Sequence, residues 1–391
     1  MVSALLLVTL LLAQSAPAAV VPPPANPAIE PGVTGARRLT SPEQFIKAGE
    51  SYFSPNGKSI VFQAIERPSD ESAPDEFYAM FVADLVFDAS GDITGIDHVK
   101  RVSPRGSANT CGWFHPTKPH TLLFASTIVA PTAQNTPGYQ RGTSRYRWSF
   151  PPETRIVEVD LAKINAATDV NKDSLAILEG DGKAYVAEGS LSTDGRHLLF
   201  CSLESGDGDL YVHDFNAGTR TLIVKAPGYD GGPFFSPDGA WIAYRTDRVE
   251  KDMLQIHVMR ADGSGDVPVT AGKGVHWAPF WHPTQPWLIW TGADHSDPTA
   301  RPNYDLWAAR YAADDAGFAS GDPLRLTDHP GADVLPAFSP DGTLLLWTAS
   351  RGGDSGGRGP TSQLWVSRLD LPAIEAAVSA PPLPSPALAS P

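Results

Sequence analysis

Apolar residues along this 391-residue chain cluster in short runs, and each run stands just after a tight turn. Ser59-Ile60-Val61-Phe62, Trp241-Ile242-Ala243-Tyr244 and Leu344-Leu345-Leu346-Trp347 are the clearest. Their apolar positions are continuous rather than alternating. A strand of that kind is covered on both faces, as when a small sheet is packed between two others. The turns share one template: Tyr52-Phe53-Ser54-Pro55-Asn56-Gly57, Trp113-Phe114-His115-Pro116-Thr117-Lys118, Ser190-Leu191-Ser192-Thr193-Asp194-Gly195, Phe234-Phe235-Ser236-Pro237-Asp238-Gly239, Phe280-Trp281-His282-Pro283-Thr284-Gln285 and Ala337-Phe338-Ser339-Pro340-Asp341-Gly342. Pro presets φ, Asp or Asn bonds its own backbone, and Gly takes the positive φ that closes a hairpin. With Ser54, His115, Ser192, Ser236, His282 and Ser339 taken as equivalent, the spacings are 61, 77, 44, 46 and 57 residues.

Further strands follow each pair. Third strands are expected at Asp209-Leu210-Tyr211-Val212, Leu254 to Val258, Asp305-Leu306-Trp307 and Gln363 to Val366. Fourth strands are expected at Lys100-Arg101-Val102, Thr221 to Val224, Val267 to Thr270 and Leu324 to Thr327. Six repeats of four antiparallel strands predict an all-β, six-bladed β-propeller. The last repeat lacks a fourth strand of its own. Arg37-Arg38-Leu39-Thr40 copies Leu324-Arg325-Leu326-Thr327, so the N-terminal strand is expected to complete the sixth blade and remove the exposed edge. The expected divisions are a signal peptide at 1–18, a Pro-rich linker at 19–35, the propeller at 36–370 and a Pro/Ala-rich tail at 371–391.

Phe-Ser-Pro-Asp-Gly hairpins with trailing Arg-Leu-Thr strands resemble those of the TolB-like, WD40-like (PD40) propellers, over roughly residues 36 to 370. The resemblance implies the propeller fold and leaves function open. Related propellers precede serine peptidase domains, and others are metal-dependent oligogalacturonate lyases. Only 21 residues follow Asp370, from which we expect no catalytic domain behind the propeller.

Composition narrows the partners. The net charge of −14 disfavours nucleic acid and anionic membrane surfaces. Leu5 to Leu12 is apolar but too short for a membrane span. With Ala16-Pro17-Ala18 behind it, the stretch reads as a secretory signal cleaved after Ala18, although Met1-Val2-Ser3 has no basic residue. The expected location is the periplasm or the exterior, without membrane insertion after cleavage. Cys111 and Cys201 are the only cysteines; they could pair in an oxidising compartment or stand as two small buried side chains.

Gly353-Asp354-Ser355-Gly356-Gly357 spells a serine-nucleophile motif. It falls between the second and third strands of the sixth repeat, in a glycine loop and not on a strand-to-helix elbow. We expect no catalytic role for Ser355. The residues six and four before the equivalent Ser or His should sit where each blade begins at the central channel. Pooling the two rows gives Glu50, Asn109, Glu188, Asp230, His276 and Asp333 as a candidate ligand-binding channel mouth, suited to a cation, an ammonium group or a sugar. They could equally cap strand ends in solvent. The long loop from about Thr127 to Glu153 carries Tyr139, Arg141, Arg145, Tyr146, Arg147 and Trp148, a composition found at binding hot spots. It could also fold over its own blade. Asp294, His295 and Asp297 are too close in sequence to make a convincing metal set. We therefore expect no metal and no cofactor. Two functions compete: a non-catalytic propeller binding an envelope protein, peptide or glycan, and a metal-dependent polysaccharide lyase. A lyase needs several converging ligands, largely histidines. Of the 10 histidines only His276 is expected at the mouth, which favours binding.

Overall fold

The computed structural model describes residues 30, 32–70, 72–132, 138–139, 148–149, 151–165, 170–297, 299–352, 357–377 and 381. Six four-stranded antiparallel blades surround one axis. Blade 1 comprises Phe45–Phe53, Ser59–Glu66, Ala79–Phe87 and Ile93–Arg101; blade 2 Asn109–Phe114, Thr121–Ser126, Arg155–Asp160 and Leu175–Glu179. Blade 3 comprises Val186–Leu191, His197–Ser202, Asp209–Asp214 and Thr219–Val224; blade 4 Asp230–Phe235, Trp241–Thr246, Gln255–Arg260 and Val267–Pro268. In blade 5, Gly274–Trp281 and Trp287–Asp294 precede the long strand Asp305–Asp314. The outer edge of that strand is shared by Gly317–Ser320 and Leu324–Arg325, so the expected fourth strand is split by a short hairpin.

Blade 6 joins Asp333–Phe338, Leu344–Arg351 and Arg358–Leu369 to the N-terminal strand Val33–Arg38. Arg37 pairs with Val366 and Arg38 with Trp365, and the N–H of Leu39 donates to the Leu364 carbonyl at 2.8 Å. Thr40 Oγ1 then donates to Gln363 Oε1 at 2.7 Å. The ring is closed by the strand whose sequence copies the fourth strand of blade 5. The strand starts at Val33, three residues before the expected boundary. Beyond Asp370 a short helix, Leu371–Ala377, tucks Ile374 into the core beside Val33.

The hairpin turns form as their residues dictate. Gly57, Gly195, Gly239 and Gly342 have φ between 66° and 75°, and each donates its N–H to the carbonyl of the template serine at 2.8 Å. The serine Oγ accepts the N–H that starts the second strand, at 2.9–3.0 Å, and donates to the turn Asp or Asn. Where His replaces Ser, one ring nitrogen takes over: Nδ1 of His115 accepts from Thr117 and Lys118 N–H, and Nδ1 of His282 from Thr284 and Gln285 N–H. The second strands are buried on both faces. Leu344 and Leu346 pack toward blade 1 with Phe45, Phe62 and Phe81, while Leu345 and Trp347 pack toward blade 5 with Ile289 and Leu306.

Candidate functional site

All six inner strands carry the same irregularity. Their pairing with the second strand slips by a residue at Gly49/Ser51, Thr110/Trp113, Ala187/Ser190, Gly231/Phe234, Trp277/Phe280 and Val334/Ala337. Within each slip one residue takes a left-handed φ: Glu50 at 39°, Cys111 at 55°, Glu188 at 59°, Gly232 at 55°, Ala278 at 51° and Leu335 at 58°. These are β-bulges, which bend a strand and re-aim its side chains. The row four residues before the template Ser or His therefore lines the channel.

That row and the aromatics beneath it enclose a cavity of about 30 Å³ on the axis, room for roughly two water molecules. Below it Tyr52, Trp113, Phe234 and Phe280, from four different blades, meet in one cluster. Tyr52–Trp113 centroids are 5.0 Å apart, Trp113–Phe234 5.5 Å and Phe234–Phe280 5.3 Å. The aromatic cluster plugs the channel. On its far side the hairpin turns surround a separate apolar crater of about 320 Å³.

Glu188 is the best-held group in the cavity. It accepts hydrogen bonds from Tyr229 Oη at 2.7 Å, the Gly232 N–H at 2.5 Å and Arg245 Nη2 at 2.5 Å. The Glu188 and Arg245 side chains are only 4% and 8% exposed. Glu50 has weaker support, from Thr110 Oγ1 at 3.0 Å and Tyr52 Oη at 3.4 Å. Burial, reinforced by the Glu188 charge, raises its pKa against the opposing pull of Cys111, Thr110 and Arg245. One guanidinium thus serves two carboxyls, and the second tends toward the neutral form. Burial also pushes the Cys111 thiol up, the opposite of what a nucleophilic cysteine requires. Both cysteines are free thiols.

The structure separates the six residues expected at the mouth. Glu50 and Glu188 share the axial cavity. The other four lie six residues before the template Ser or His, in the blades. Asp230 is fully buried against Arg248 Nη2 at 2.8 Å. Burial raises its pKa, Arg248 opposes, and the neighbouring Asp209 charge adds to the rise. Asp333 is fully buried under Arg351, which reaches it at 2.8 and 2.6 Å, and Trp347 Nε1, at 2.9 Å. Asn109 Nδ2 donates to the Tyr78 and Ser107 carbonyls at 2.9 Å each. His276 Nδ1 accepts from Trp290 Nε1 at 3.2 Å, and burial lowers its pKa to about 4. The expected mouth is therefore two layers, and pooling them joined groups the bulge keeps apart.

Arg245 and Tyr229 are not among the residues expected at the mouth. Both border the axial cavity or its carboxylate, and both also line a cleft of about 450 Å³ between blades 3 and 4. Arg248, Lys251, Asp207 and Asp252 complete its polar lining. Asp247 ties its walls, accepting the N–H of Tyr229 at 2.6 Å and of Asp252 at 2.8 Å. The visible signal for Arg245 was a cation directly after the apolar run Trp241-Ile242-Ala243-Tyr244. The blade 2 loop leaves from the same face. Its described part pairs Tyr139 with Trp148 along the backbone; those two side chains and Arg141, Arg145, Tyr146 and Arg147 lie outside the described residues. Ser355 lies outside them too. Among the described residues no group of three or more His, Cys, Asp or Glu could hold a metal ion, and no helix is long and apolar enough to cross a membrane.

Comparison with known proteins agrees with this architecture. A family model described as the TolB beta propeller domain (PD40) matches residues 167–300. The Protein TolB homolog of Chlorobium chlorochromatii is 33% identical over 163 residues, 42% of this chain and 33% of that protein. An uncharacterized protein of Agrobacterium fabrum is 29% identical over 103 residues, 26% of this chain and 34% of its own length. The matched stretches thus span about a third of these curated relatives. Among solved structures, a putative TolB from Agrobacterium tumefaciens superposes with a TM-score of 0.51 at 16% identity, covering 84% of this chain and 91% of the other. In its repeated hairpins, its six closed blades and these matches, the chain is a six-bladed β-propeller similar to the TolB-like PD40 propellers.

Proposed function

We propose that this chain is an exported, non-catalytic propeller that binds a protein or peptide, or a glycan, at the loop face. One observation carries the reading. The axial cavity is too small for a substrate, whereas the cleft that shares Arg245 with it is open and large enough for a side chain or a sugar. An aromatic ring with Arg and Lys around one open cleft is the composition of an interface anchor. The Tyr-, Arg- and Trp-rich loop of blade 2 leaves from the same face and would widen the contact. Relatives include a Tol-Pal system protein TolB of Francisella tularensis, whose name supports a protein partner in the cell envelope. The apolar Leu5 to Leu12 stretch and the Ala-Pro-Ala site support export. The test is a rim charge reversal. Asp207 and Lys251 are exposed at the cleft. Asp207→Lys with Lys251→Glu should weaken binding to a partner isolated from the native envelope at least tenfold, about 1.4 kcal/mol. Lys58→Glu, in the hairpin turn of blade 1 on the opposite face, should leave it unchanged. Equal effects of the two sets would refute the assignment to the loop face.

A further inference from the structure

Asp209 opens the third strand of blade 3 and is 1% exposed. Neither of its carboxylate oxygens has a hydrogen-bond partner among the described residues, and no ion pair reaches it. One oxygen of fully buried Asp230, Oδ2, is likewise unpartnered. The two residues are neighbours across the blade 3–4 junction, where the Asp230 N–H donates to the carbonyl of Gly208 at 2.9 Å. Arg248 occupies only the other oxygen of Asp230. Burying an unpaired carboxylate costs several kcal/mol, so a compensating group is needed.

The internal repeat shows what that group should be. By strand register Asp209 corresponds in blades 4 to 6 to Gln255, Asp305 and Gln363, which pair across from Thr246, Gly292 and Ala349 as Asp209 does from Ser202, while blades 1 and 2 carry Ala79 and Arg155 there. Each of the other three is satisfied by a donor or a cation. Gln255 accepts from Thr270 and donates to the Gly274 carbonyl of the next blade at 2.8 Å. Gln363 accepts from Thr40 and donates to the Phe45 carbonyl of the next blade at 3.1 Å. Asp305, the other aspartate, takes Arg325 Nη2 at 2.7 Å. In blade 3 the matching outer stretch, Leu222-Ile223-Val224, has no charged side chain. Asp209 keeps the acid of blade 5 without its arginine.

We infer that Asp209 and Asp230 hold a hard, calcium-sized cation between blades 3 and 4, in the place that Arg325 fills in blade 5. The oxygen-only donor set suits that class of ion: the two carboxylates, with the buried Ser202 hydroxyl at the paired position, and water for the rest. The site lies off the axis and is independent of ligand binding at the loop face. Its role is to lock two adjacent blades beneath the cleft.

The experiment uses the full chain dialysed against chelator, then titrated with CaCl2, MgCl2 or KCl, with calorimetric stoichiometry and thermal melting as readouts. One equivalent of Ca²⁺ per chain should bind. At a hundredfold excess over Kd it should raise Tm by a few degrees. Asp209→Asn, and Asp209→Gln, which installs the residue of blades 4 and 6, should fold, lose that binding and melt at a temperature indifferent to the cation. An equal Ca²⁺ response in wild type and both variants would place the ion elsewhere and overturn the inference. So would a wild type that binds no cation at millimolar concentration while the variants are merely more stable, which would leave Asp209 hydrated by water only.

Discussion

Replacing Arg245 by Met keeps most of the side-chain volume and removes the charge. Glu188 would then lie 4% exposed in the axial cavity with its Tyr229 and Gly232 donors but no counter-ion. Removing one partner of a buried pair costs roughly 3–5 kcal/mol. Two remaining hydrogen bonds place Arg245→Met toward the low end, about 3 kcal/mol. Glu188→Gln is nearly isosteric and still accepts from Gly232. It turns an amide toward the guanidinium, and we expect about 2–3 kcal/mol. The double variant removes both charges together, so it should cost clearly less than the sum, with a coupling of about 2 kcal/mol. Urea denaturation, followed by tryptophan fluorescence and far-UV circular dichroism, gives the four values of the cycle. Coincidence of the two probes is required first, because six blades need not unfold in one step. Single-variant costs below about 1 kcal/mol with no coupling would refute the buried Glu188–Arg245 pairing.

Glu50 gives a pH signature. Its folded pKa is raised, so protonation favours the folded state. That stability is fully present below the ordinary carboxylate value and is lost as pH rises through the elevated one. The difference in unfolding free energy between wild type and Glu50→Gln should therefore change across that window, with the variant relatively more stable at neutral pH; a flat difference would show that Glu50 titrates normally. Deleting residues 32–38 unpairs the edge of blade 6 and should lower Tm markedly, whereas an unchanged melt would contradict closure by this strand. Trp113→Ala opens the aromatic plug and should cost about 3–5 kcal/mol in the same urea assay. A fluorophosphonate probe should leave the protein unlabelled, and specific labelling of Ser355 would contradict the reading of the glycine loop as non-catalytic.

The fold was legible because its signals are local. Asp and Gly at the turns, and apolar runs without alternation, each dictate one conformation, and six copies made the architecture redundant. Closure was legible because Arg37 to Thr40 and Leu324 to Thr327 are near-copies. The site was less legible because it depends on the bulge. Only one of its six left-handed positions, Gly232, holds a glycine; Glu50, Cys111, Glu188, Ala278 and Leu335 are held there by their surroundings. Without that irregularity a strand reads with a period of two, and residues two apart look interchangeable. Pro233, Pro279 and Pro336, each directly after the bulged residue, were the available hint, since proline in a sheet marks an edge or a bulge. Arg245 was hidden for a different reason. Its partner, Glu188, lies on the adjacent blade, 57 residues away in sequence, and only the ring brings them together.

The central claim is that the loop face, at the blade 3–4 cleft, is where this propeller meets its partner. A photo-reactive amino acid placed at Asp252 on the loop face, and in a second protein at Lys58 on the hairpin face, tests it in the native host. Irradiation of intact cells should yield a discrete adduct from position 252, lost on adding Asp207→Lys and Lys251→Glu, and none from position 58. Adducts from position 58 alone, or adducts from 252 that survive the charge reversal, would contradict the account.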